Sequence, residues 1–122
     1  MPAYRTIPAT LAVVVLAAAF PASATQSTQS GAISVAQVTQ MLDQASGNRT
    51  AQQVLTAYLA GVGEATGTVV DLGGASCRRP LSLSAGDARS AIAAVSAGQA
   101  GTTAATPLIV GDMLARAGCR RR

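Results

Sequence analysis

Beyond residue 24 the chain contains one aromatic residue, Tyr58, and its other apolar residues are mostly Ala and Val with scattered Leu, Ile and Met. Burying apolar surface stabilises a fold by about 25 cal/mol per Å². A short chain of small side chains therefore gains little from its core. Small domains of this kind are marginal, and they often need a covalent staple or a partner subunit.

The longest uninterrupted apolar run lies at the start. Arg5 is followed by an apolar run from Leu11 to Phe20 that is too short to span a bilayer, and then by the small residues Ala22-Ser23-Ala24. A positive start, a short apolar core and an A-x-A site predict a secretory signal peptide over 1–24, cleaved after Ala24. Residues near Thr10 to Phe20 are expected to be helical. No second long apolar stretch follows, so no membrane span is expected after cleavage, and the location expected is periplasmic or secreted.

The staple is also visible. The chain has two cysteines, Cys77 and Cys119. In an oxidising compartment an even count permits one pairing. A bridge here closes a loop of about 43 residues, worth about 4 kcal/mol at most in the chain-entropy account. Two free thiols are the alternative. The chain has no histidine, which excludes Ser-His-Asp and Cys-His catalysis and histidine-based metal sites. No metal and no cofactor are expected.

Between these landmarks the apolar residues recur at helical spacing. Residues 25–33 are polar and small and are expected to form a disordered lead-in. Ser34 caps a first helix carrying Val35, Val38, Met41 and Leu42, and Gly47-Asn48 is expected to end it. Thr50 and Gln53 suggest a capping box for a second helix. Its predicted stripe is Val54, Leu55, Tyr58, Leu59 and Val62, and Gly73-Gly74 breaks it. Ser84 caps a third helix with Asp87 in its first turn and Ala88, Ile92 and Val95 inward. Thr106-Pro107 opens a fourth, with Leu108, Ile109, Met113, Leu114 and Ala117 as its stripe and Gly118 as its stop. The β-branched run Thr68-Val69-Val70 is too short to argue for a strand. These patterns predict an all-α protein, a small four-helix bundle over 34–119 with one disulfide and a basic tail at 120–122.

Few residues suggest chemistry. Gly61, Gly63 and Gly67 do not match a dinucleotide loop: the spacing is one residue too long and no strand precedes them. Ala57, Ala60, Gly61 and Ala65 instead form a small-residue face that lets another helix approach, either within the core or as the seam of a homodimer. No two of the five acids have the spacing of a catalytic carboxylate pair. Glu64 is either functional or a solvated surface acid. The arginines are more informative, because each cysteine is followed by two of them. A bridge gathers Arg78, Arg79, Arg120, Arg121 and Arg122 at one pole, where they attract an acidic protein surface, lipid headgroups or a polyanion. Alternatively they complement helix ends or form a solvated tail.

Three segments carry a likeness. Tyr58-Leu59-Ala60-Gly61-Val62, Cys77-Arg78-Arg79-Pro80, and Leu108-Ile109-Val110 through Met113-Leu114 to Cys119 resemble, in that order, the second helix, the connector and the closing helix of the Rap/Tai family of type VI amidase immunity proteins. The likeness covers about Val35 to Cys119. It implies an exported helical protein that binds and blocks an amidase toxin. Many members pair a further cysteine near the position of Leu55 with one in the first helix, and this chain has neither.

The function expected is thus non-enzymatic: binding and inhibition of a protein partner, without nucleic acid. The candidate binding residues are the five arginines together with Tyr58 and Glu64. The alternative is a periplasmic acid-stress chaperone of the HdeA type, also small, helical and singly bridged. The arginine-rich composition and the few large apolar residues speak against it.

Overall fold

The computed structural model describes residues 27–120. The expected signal peptide over 1–24, its helix, Arg121 and Arg122 lie outside the described residues. Four helices and no strands appear among them: α1 (Val35–Ala45), α2 (Arg49–Leu72), α3 (Ala85–Ile92) and α4 (Ala105–Ala117). α1 packs on α2 and α3 on α4, with further contacts of α1 with α3 and of α2 with α4. The core is made of Val35, Val38, Leu42, Leu55, Val62, Ala88, Ile92, Ala105 and Ile109, extended along α4 by Met113 and Ala117. The helical bundle is therefore as expected.

Local chemistry sets the helix starts. Ser34 caps α1 with a full capping box: its hydroxyl accepts from the Gln37 N–H at 3.1 Å, and Gln37 Oε1 accepts from the Ser34 N–H at 2.9 Å. Ser84 and Asp87 make the same reciprocal pair for α3, at 3.1 and 2.9 Å. Each box satisfies two orphan donors.

Two expected starts are corrected. Asn48 does not end α1. It caps α2, its Oδ1 accepting from the Ala51 N–H at 3.0 Å, and so Thr50 lies inside the helix. Only one residue can occupy the N-cap, and Asn is a stronger cap than Thr. α4 begins at Ala105, one residue before Thr106, without a side-chain cap. Its first N–H instead donates to the Ile33 carbonyl at 2.9 Å. Pro107, lacking an N–H, is harmless in the first turn, where donors have no intrahelical partner.

Three further corrections concern burial and order. Val54 is 51% exposed and Leu108 36%, so neither belongs to the core. The periodic stripes are wider than the faces that the neighbouring helices cover. Val95 lies beyond the end of α3, though it still packs on the core. The lead-in is folded from residue 27. Thr28 is buried, its N–H donates to Ala32 O at 3.0 Å, and its hydroxyl accepts from the Ala32 N–H at 3.1 Å. Gly31, at φ +76°, closes the turn with an N–H to Thr28 O at 2.8 Å. Local hydroxyl–backbone bonds give this polar segment an order that hydrophobic patterning does not register.

Candidate functional site

The two long helices leave the bundle in the same way. After α2, Gly74 (φ +63°) lets the Gly74 N–H reach Asp71 O at 3.2 Å and the Ala75 N–H reach Val70 O at 3.1 Å. After α4, Gly118 (φ +65°) lets its own N–H reach Ala115 O and the Cys119 N–H reach Leu114 O, both at 3.1 Å. This is the Schellman arrangement, which needs a left-handed residue and so favours glycine.

The two exits run side by side. Ser76 and Arg120 exchange both backbone bonds, at 3.1 and 2.8 Å. Cys77 and Cys119 are joined, with sulfurs 2.06 Å apart. The Arg78 and Arg79 N–H groups then donate to Ala117 O at 2.9 and 3.0 Å, so the connector satisfies a carbonyl that α4 leaves without an intrahelical donor. The Arg78 stem lies over Gly118, where an added Cβ would meet three of its carbons at 3.4–3.5 Å.

Arg78, Arg79 and Arg120 are thereby brought to one pole, and all three are exposed. Among the described residues none of them forms an ion pair. The only guanidinium bond is Arg79 Nη1 to the Arg116 carbonyl, at 3.3 Å. A fourth arginine, Arg116, stands beside them with the opposite fate. Its Nε lies 2.7 Å from Asp112 Oδ2, its Nη1 3.6 Å from Asp87 Oδ2, and its Nη2 donates to Ser82 O at 2.9 Å. Arg116 is thus neutralised, and it clamps α4 to the connector and to the start of α3. The Asp87 carboxyl is held below the ordinary aspartate range, first by the Ser84 backbone N–H, then by the Ser84 hydroxyl, with Arg116 adding a little. Sequence reasoning passed over Arg116. The Asp112 partner four residues away is a readable helix pair, but Ser82 and Asp87 are neighbours only through the fold.

The other candidate residues are not part of this pole. The Tyr58 hydroxyl is 2.8 Å from the Thr106 hydroxyl in the first turn of α4, a helix length from Cys119. Partial burial raises its pKa, offset in part by that hydrogen bond. Its visible role is to join α2 to α4. Glu64 is exposed on α2. Ala57, Ala60, Gly61 and Ala65 are exposed as well, so no described helix covers the small-residue face.

No group of three metal-ligating side chains occurs among the described residues, and no described helix is long and apolar enough to cross a membrane. The chain matches no family model, no curated protein and no solved structure.

Proposed function

We propose that this is an exported helical binding protein that inhibits a protein partner, and that the partner presents an acidic surface to the arginine pole. The observation that carries the reading is the gathering of Arg78, Arg79 and Arg120 around the Cys77–Cys119 bridge, exposed and, among the described residues, outside every ion pair. Guanidinium groups bind carboxylates in a two-pronged geometry. The stapled backbone beneath them is already ordered, so only the side chains lose freedom on binding. The bridge is in keeping with an oxidising compartment, and the basic residues at 121 and 122 would add to the same field.

The class of partner comes from the resemblance to the amidase immunity proteins. On that reading the chain occludes the active site of a type VI secreted amidase and has no catalytic activity of its own.

The test is to purify a peptidoglycan amidase encoded beside this chain and measure its hydrolysis of peptidoglycan with and without the protein. Stoichiometric inhibition is expected, and an unaffected amidase would remove the immunity reading. Replacing Arg78, Arg79 and Arg120 with Ser should slow association about tenfold at low salt and flatten its salt dependence, since like charges on one face steer an opposite partner and salt screens them. Inhibition with unchanged association kinetics would move the binding surface elsewhere.

A further inference from the structure

α2 is the longest helix and the least covered. Besides Val54, its Val69 and Leu72 are 69% and 83% exposed, and Ala57, Ala60, Gly61 and Ala65 are exposed too. Of the three glycines inside α2, Gly61 alone is exposed, and a Cβ there would meet nothing within 4 Å. Glycine within a helix is less favourable than alanine, because it loses more backbone freedom on folding. No contact among the described residues accounts for a glycine at position 61.

The exposed face has an internal symmetry centred on Gly61. Thr50 and Leu72 lie equally far from it, as do Val54 and Thr68, and Ala57 and Ala65. They follow one another at spacings of three and four residues, which keeps them on a single stripe. An antiparallel second copy of α2 with Gly61 on the two-fold axis therefore sets each member of a pair against the other. The smallest residues then stand at the centre, where the backbones come closest, and the larger apolar ones toward the ends.

Charge complementarity identifies the occupant. α2 carries three charged residues, Arg49, Glu64 and Asp71. Arg49 and Asp71 lie on the same flank of the stripe, and among the described residues neither forms an ion pair. In an antiparallel pair each flank meets the same flank of the partner. Arg49 then comes within two residues, about 3 Å along the axis, of the copy's Asp71, and symmetry repeats the pair at the other end. Glu64 is displaced from its own copy by about 9 Å along the axis, so no close like-charge contact opposes the arrangement.

We infer that the protein forms an isologous homodimer through α2, antiparallel about Gly61, with its ends fixed by Arg49–Asp71 pairs between protomers. A single helix pair is a small interface, and a dissociation constant in the micromolar range is expected. The inference does not depend on the proposed partner, but it bears on it. The arginine poles adjoin the C-terminal ends of α2 and would stand at opposite ends of the dimer, roughly 36 Å apart along the helix.

Two measurements on the secreted, disulfide-bonded protein test it. In sedimentation equilibrium, Arg49→Glu and Asp71→Arg should each weaken dimerisation about tenfold, and the double reversal should restore it. In a cross-linking series, Gly61→Cys should form a disulfide-linked dimer alone. Ala57→Cys and Ala65→Cys should link efficiently only when mixed. A monomer at about 100 µM, a dimer indifferent to the charge reversals, or Ala57→Cys linking to itself as readily as to Ala65→Cys would each overturn the inference. Far-ultraviolet circular dichroism of every variant shows whether the helices persist, so misfolding cannot pass for dissociation.

Discussion

The two ends of the bundle use the same device under opposite conditions. At one end Ser34 and Ala104 form an antiparallel bridge, and at the other Ser76 and Arg120 do. The first is neutral and buried, with Ser34 wholly enclosed. The Val35 and Ala36 N–H groups of α1 donate to Thr103 O and Ala100 O, both at 2.9 Å, and Ala105 donates to Ile33 O. Every bond there lies in or beside the core, where an unmade hydrogen bond is expensive. The second end is exposed and carries three arginines. Hydrogen bonds open to water contribute little, and like charges repel, so that end is held by a covalent bond. In a chain with so few large side chains, the bridge ties down a charged corner that the core does not cover.

The comparison is most severely tested by removing the staple. Cys119→Ser opens the loop between cysteines 42 positions apart, and the chain-entropy account assigns it roughly 3–4 kcal/mol. Differential scanning calorimetry should show Tm lowered by more than about 10 °C. A fall of only a few degrees would mean that backbone bonds suffice at the charged end as well.

Ser34→Ala strikes the other end. It removes a capping-box hydroxyl from a buried site, and a loss of about 1–2 kcal/mol is expected by urea denaturation. A loss near zero would show that the surrounding carbonyls, and not the side chain, hold the start of α1.

The smallest effect is expected at Asp87, between the ends. Its folded pKa is depressed, so the stability that it contributes is present above the unfolded value and is lost as pH falls through the folded value. Asp87→Asn keeps an oxygen for the Ser84 N–H but removes the titration. The variant should lose less stability than the parent between about pH 5 and pH 2, measured as Tm against pH. Parallel acid limbs would locate the acid sensitivity elsewhere.

Much of the fold was legible because its signals are local. Ser34, Ser84 and Gly118 act through their own turn, and each does what its residue type favours. Errors arose where two local signals competed, as at Asn48 and Thr50, or where a distant group took over, as when Ile33 O supplied the start of α4 and left Thr106 free to meet Tyr58. Burial was harder to read. Periodicity marks a stripe but not how much of it a neighbour covers, and so it places Val54 and Leu108 inside, where the structure leaves them exposed, and it leaves the small-residue face open between core and seam.

The sequence by itself determined four helices, the Ser34 and Ser84 caps, the glycine stops of α2 and α4, and the pairing of arginines with cysteines, since each depends on residues within a turn of one another. Only the tertiary structure decided which charges stay available. Arg116 is neutralised by Asp112 and Asp87, and Arg78, Arg79 and Arg120 are not, although composition treats all four alike. The difference is one of position. Arg116 lies on the flank of α4 that faces the connector and the start of α3, where carboxylates and carbonyls converge, while the other three stand past the helix ends, where backbone groups are satisfied and the side chains are left to solvent.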